Sequence, residues 1–177
     1  EQIGNEFMRS LEAEPEDGIA GLNAALTAYG AGVDFNLLFS DWIVANAVQD
    51  VTVAEGHYGY LFSDALPEMA AVASFSASGG QYTGDIEAFG VNYLEVVGAT
   101  AGATLTVTAP TADTFVARLI GWGPEGVTVT TWAPDAQGRW TVPLEGGDGW
   151  EYLLAVSNVN TRQIDSGATV TYQVSVR

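Results

Sequence analysis

Apolar side chains recur along this chain at two different spacings, and the change from one to the other divides it. In the first part the spacing is helical. Ile3, Phe7 and Leu11 form one stripe, and Ile19, Leu22, Leu26 and Tyr29 form a second, which Gly30 closes at a C′ position. Pro15 lies between them and separates two helices, because a proline inside a helix removes a backbone donor and clashes with the preceding turn. A third stripe starts after Asp34, a suitable N-cap, and takes in Phe35, Leu38, Phe39, Trp42, Ile43 and Asn46. Three short helices make a thin core, so they are expected to lean on another element.

From about residue 70 the period falls to two. In TLTVT at 104–108, Leu105 and Val107 share a face; in TVTYQVSV at 169–176, so do Val170, Tyr172, Val174 and Val176. Further strands are predicted at 85–97, 114–122, 126–132, 139–144 and 151–158, with 70–76 as a first strand. Turns fall at GPEG, PDAQG and EGGDG. About eight short strands at this spacing predict an antiparallel, jelly-roll-like β-sandwich rather than a parallel sheet. The expected fold class is therefore α+β: a helical subdomain over 1–62, a linker over 63–69 that contains Pro67, and a β-sandwich over 70–177.

Composition narrows the partners. The 177 residues carry 22 acids, five arginines and no lysine, for a formal net charge of −17. Nucleic acid and anionic membrane surfaces need a basic footprint, so neither is expected as a partner. With no cysteine, disulfides and thiolate metal sites are excluded. No stretch approaches the ~20 apolar residues that span a bilayer, and the first residues lack the basic and apolar regions of a signal peptide.

Candidate chemistry is sparse. A zinc peptidase helix of the HExxH type needs two histidines one turn apart, and His57, in EGHYGY, is the single histidine. No GxSxG nucleophile elbow and no glycine-rich phosphate loop occurs. A pair of carboxylates could act on glycosides if held across a cleft, but abundance of acids does not establish such a pair. Calcium suits acidic loops, and Asp135, Glu145 and Asp148 are its candidate ligands, although neither loop follows the EF-hand spacing and a simple turn is the competing reading. Trp140 and Trp150 each follow a glycine-bearing turn and are candidates for a ligand-binding face, against core packing as the alternative.

The run DGIAGLNAALTAYGAGVDFNLLFSDWIVANAVQD, followed by GHYGY, resembles the end of the catalytic domain in secreted bacterial metallopeptidases of the immune inhibitor A-like kind. Asp41-Trp42, Ala45-Asn46 and Tyr58-Gly59-Tyr60 carry most of the resemblance, which covers about residues 1–60. It implies β-sandwich domains downstream, and it implies that the zinc helix and its later glutamate ligand would lie upstream of Glu1, so no catalytic residue is carried over. Two functions follow as expectations. One is a secreted, non-catalytic piece or descendant of such a peptidase, whose sandwich binds protein or cell-surface material. The other is a structural subunit of an extracellular filament or surface array that self-associates, motivated by threonine- and valine-rich strands without lysine gatekeepers.

Overall fold

A computed structural model describes residues 5–60, 69–110, 114–147, 149–161 and 167–177. Ile3, most of the expected linker and Asp148 lie outside the described residues. Among the described residues there are three α-helices and nine strands in two sheets, a β-sandwich with the helices N-terminal to it. The chain divides into two compact units, Glu1–Trp42 and Ile43–Arg177, and the division falls inside the third helix.

In the first unit, α1 (Asn5–Ala13) and α2 (Gly18–Tyr29) pack through Phe7, Ala25 and Leu26, with Leu11, Leu22, Ala31 and Val33 around them. Gly30 ends α2 in the left-handed region, φ 73°, and its N–H reaches the Leu26 and Thr27 carbonyls. A glycine adopts that backbone without the penalty a Cβ would bring. Two side chains satisfy the first N–H groups of α3 (Phe35–Val48). Asp34 Oδ1 accepts the Leu37 N–H at 2.8 Å, and Asn23 Oδ1 accepts the Phe35 N–H at 2.7 Å. The helical stripe is displaced at one position. Phe39, Ser40, Ile43 and Val44 are buried, whereas Trp42, expected among them, is 51% exposed. The buried arc is centred between Ser40 and Ile43, which turns Trp42 away from it at ~100° per residue.

In the second unit, one sheet has the order β1 (Ala73–Ser76), β3 (Val91–Val97), β8 (Glu151–Asn158), β5 (Phe115–Gly123), β6 (Gly126–Thr131). The other has the order β2 (Gln81–Glu87), β9 (Thr169–Val176), β4 (Thr104–Thr108), β7 (Arg139–Pro143). Pairing is antiparallel except between β1 and β3, which run parallel. The segment 85–97, expected as one strand, is two: β2 ends at Glu87 in one sheet and β3 begins at Val91 in the other. Phe89, φ 56°, makes the left-handed turn between them, and Gly90 sits too close to Glu87 and Ile86 for a larger residue to fit freely.

The core lies between the sheets, where alternate residues of the strands other than β6 meet. Leu94, Leu105, Val107, Leu154, Val156, Tyr172 and Val174 are buried there, each large aliphatic contributing about 1.5–3 kcal/mol of transfer free energy. The Tyr172 hydroxyl oxygen accepts from Asn92 Nδ2 at 3.0 Å, and burial raises its pKa well above the usual phenol range.

The segment that carries Ala45-Asn46 and GHYGY is a lock within this unit. The Tyr60 hydroxyl donates to Asn46 Oδ1 at 2.6 Å, and the Asp50 N–H reaches the Tyr58 carbonyl at 3.3 Å. A Cβ on Gly59 would overlap the backbone of Asp50 and Val51, so only glycine permits this closure. Asp50 binds the Thr52 N–H and hydroxyl, which hold its carboxyl below the usual range. Gln49, Ala54 and Glu55 adopt positive φ, a backbone that persists where surrounding bonds over-determine it. The Tyr93 hydroxyl donates to the Ile43 carbonyl at 2.7 Å and ties the end of α3 to the five-stranded sheet. Burial, with the Tyr60 hydroxyl close by, pushes Tyr93 up to about 12. Asn46, Tyr58, Gly59 and Tyr60 therefore hold this segment closed on itself.

Candidate binding face

Alternation that sends Leu105, Val107, Trp140, Val142, Tyr172 and Val174 into the core sends their neighbours outward across the four-stranded sheet. Two cross-strand rows result. One runs Gln81, Ser175, Thr106, Thr141, and the next runs Thr83, Gln173, Thr108, Arg139. They floor a concavity of about 580 Å³, whose margin also includes Arg177. Arg177 pairs through its backbone with Thr104, one row further on. Apart from Arg139 the two rows are uncharged and rich in hydroxyl and amide groups, and the Thr106 and Thr141 hydroxyls lie 3.5 Å apart. Each such group can donate or accept, so the surface can hydrogen-bond a polar ligand in more than one register.

Both arginines are notable in a chain with five. Arg139 is held in place: its Nε donates to Asp135 Oδ2 at 2.9 Å and its Nη2 reaches the same oxygen at 2.8 Å and Gln137 Oε1 at 3.4 Å. Asp135 Oδ1 meanwhile accepts the N–H groups of Gln137 and Arg139 at 2.8 and 3.0 Å. The Arg139 side-chain bond, more than any other contact, keeps the Asp135 carboxyl below the usual range. Further along the same face two acids appear on β2, Asp85, which accepts the Thr171 hydroxyl at 2.6 Å, and Glu87.

The residues singled out from sequence are not brought together. Asp135 spends both oxygens on the turn that presents Arg139, Glu145 is exposed, and its carbonyl accepts the Tyr152 hydroxyl at 2.6 Å. Among the described residues no three His, Cys, Asp or Glu side chains form a group able to hold a metal ion. Trp140 is 2% exposed and belongs to the core, so it presents no ring face to a ligand and its role is packing. Trp150 is partly buried, stacks on Tyr152 with centroids 5.5 Å apart, and lines a second concavity of about 400 Å³ with Trp122, Glu95 and Glu151. His57 meets Tyr58 edge to face at 4.9 Å. The face itself was not singled out from sequence, although its signal is present: the polar positions that alternate with the core in TLTVT and TVTYQVSV are all uncharged in a strongly acidic chain.

The chain matches no protein-family model and no curated protein. Among solved structures, it is similar to the pre-peptidase C-terminal domain of a collagenase from Bacillus anthracis, at 13% identity over 63% of this chain and all of that one, with a TM-score of 0.40. It is similar to PliG of Aeromonas hydrophila, a periplasmic inhibitor of g-type lysozyme, at 18% identity over 60% of this chain and 97% of that one, with a TM-score of 0.35. The Yersinia pseudotuberculosis-derived mitogen is a third, at 16% identity over 56% of this chain and 84% of that one, with a TM-score of 0.40. Among the described residues no helix is long and apolar enough to cross a membrane.

Proposed function

We propose that this chain is a non-catalytic binding module of an extracellular protein. In this reading residues 1–62 keep the scaffold of the end of an immune inhibitor A-like catalytic domain, 63–69 link it onward, and the sandwich over 70–177 holds protein or cell-surface material. The observation that carries it is the concave face of the four-stranded sheet, where hydroxyl, amide and guanidinium groups stand on a floor whose two central strands, β9 and β4, are paired on both sides. Groups fixed in this way lose little freedom on binding a polar ligand. The test is co-sedimentation of the purified chain with insoluble bacterial cell-wall material, alongside a casein-hydrolysis assay with zinc supplied. Retention without hydrolysis is expected. Failure to bind any such material, or casein hydrolysis with stoichiometric zinc, would overturn the reading.

One observation favours the filament alternative. β6, GVTVTT, is an edge strand paired on one side by β5, and it carries no charged residue to discourage strand addition. Sedimentation at high protein concentration separates the two: growth of oligomers that β6 lysine substitutions abolish would favour assembly.

A further inference from the structure

The two arginines on the concave face give its ligand a charge. We propose that this face takes an anionic polysaccharide, a chain of hydroxylated sugars bearing carboxylates, laid diagonally from Arg177 to Arg139. The inference rests on the reading of the sandwich as a binding module and names its ligand class.

Three observations carry it. First, the position of the cations is selective. In a chain of net charge −17, two of the five arginines stand at the margin of one concavity. From the register, Arg139 lies four residues along the strand direction and two strands across from Arg177, a Cα separation of about 17 Å at ordinary strand spacings. That distance is spanned by several linked sugars and not by a single small anion. Second, Arg139 is pre-set. Asp135 and Gln137 engage Nε and Nη2, while no bond is made by Nη1 among the described residues. A guanidinium whose rotamer is already fixed gives up less entropy when it meets a carboxylate. Third, between the arginines the outward positions of the floor offer hydroxyls and amides, suited to sugar hydroxyls, and the partly buried Tyr82 is the aromatic ring that joins them in the lining. A peptide added as a strand would sit at the outer edges of β2 or β7, whereas the diagonal between the arginines crosses β9 and β4, whose backbones are paired on both sides. Asp85 and Glu87 close the strand-wise path by repulsion, which leaves the diagonal. At physiological salt the Debye length is about 8 Å, so acids further off are screened, while Asp135, 2.8 Å from the Arg139 guanidinium, lies inside that length and offsets part of its charge.

The experiment is affinity electrophoresis and calorimetry at physiological salt with a chelator present. It uses polygalacturonate, the same polymer with its carboxylates methyl-esterified, and polyglutamate. The Arg139→Gln/Arg177→Gln variant is compared after far-UV circular dichroism shows it folded. Binding to polygalacturonate is expected to be about tenfold tighter than to the ester, and the double variant is expected to erase that preference. Equal binding of the acid and ester forms by the native chain would overturn the charge assignment and leave the binding-module reading standing. No binding to these polymers or to cell-wall material would overturn both. Equal or tighter binding of polyglutamate would overturn the sugar in favour of an acidic peptide. Arginine-dependent self-association without polymer would show the face to be occupied by a second copy, and would also overturn the proposal.

Discussion

Gly123→Ala tests the packing at the mouth of the sandwich. On β5 the residue lies below the Trp150 ring, and an added Cβ would sit 2.6 Å from Cζ2 and 2.7 Å from Cε2 and Cη2 of that ring. At Gly121, two residues earlier, an added Cβ would sit 3.1 Å from Cζ3 of the same ring. Trp150 has little room to retreat, because it stacks nearly parallel on Tyr152, at an interplanar angle of 8°. Gly123 has no positive φ, so on backbone grounds alone alanine would stabilise by about 0.4–1 kcal/mol through the unfolded chain. Overpacking against the indole costs about 1–3 kcal/mol, and part of a stacking contact worth about 0.5–1.5 kcal/mol goes with it. The clash wins, for a net loss of roughly 1–2 kcal/mol. Urea unfolding followed by far-UV circular dichroism would show the midpoint lowered by about 0.5–1 M. Trp150→Ala vacates the space the new methyl needs, so the Gly123→Ala/Trp150→Ala double variant should be little less stable than Trp150→Ala alone. Coupling then exceeds the ~0.5 kcal/mol expected of independent sites. Additive losses, or a Gly123→Ala protein with a raised midpoint, would refute the packing argument.

Trp140→Ala should cost about 3–5 kcal/mol, as expected for a large residue 2% exposed, and denaturation that leaves the midpoint unchanged would return Trp140 to the surface. In the motif lock, Gly59→Ala should lower stability by more than Tyr60→Phe, since it moves backbone where the latter deletes one hydrogen bond worth about 1 kcal/mol; thermal unfolding that ranks them the other way would contradict this. Asp135 supplies a pH test. Its folded-state pKa is depressed, so the turn it closes is supported above the ordinary value of 3.8 and loses that support as pH falls through the lower, folded-state value. A carboxyl-carbon NMR titration should therefore place its midpoint below 3.8 and move it upward in Arg139→Gln, and an unmoved midpoint would remove Arg139 as the principal cause.

Most elements were legible along the chain because their signals are local. The helix ends at Asp34 and Gly30 are written as cap residues, and the strands 104–108 and 169–176 follow from alternation. Where the signal was not local, the reading changed. Nothing in 85–97 announces that β2 and β3 belong to different sheets, because that depends on where Phe89 and Gly90 turn the chain. Parallel pairing of β1 with β3 likewise depends on a partner distant in sequence. Trp42 left the helical stripe because a spacing rule gives the period of a face and not its centre.

By itself the sequence determined the class of the fold, the lack of thiol chemistry, the acid excess and the two kinds of segment, since composition and periodicity are properties of neighbours along the chain. Tertiary structure decided which aromatic rings are covered. It sent Trp140 into the core between Arg139 and Thr141, and stacked Trp150 on Tyr152 over two glycines. It also decided the candidate site, which no single segment contains. Gln81, Thr106, Thr141, Gln173 and the two arginines come from four strands spread over nearly a hundred residues, and they share a surface because sheet pairing, set by burial of the opposite face, puts them in register.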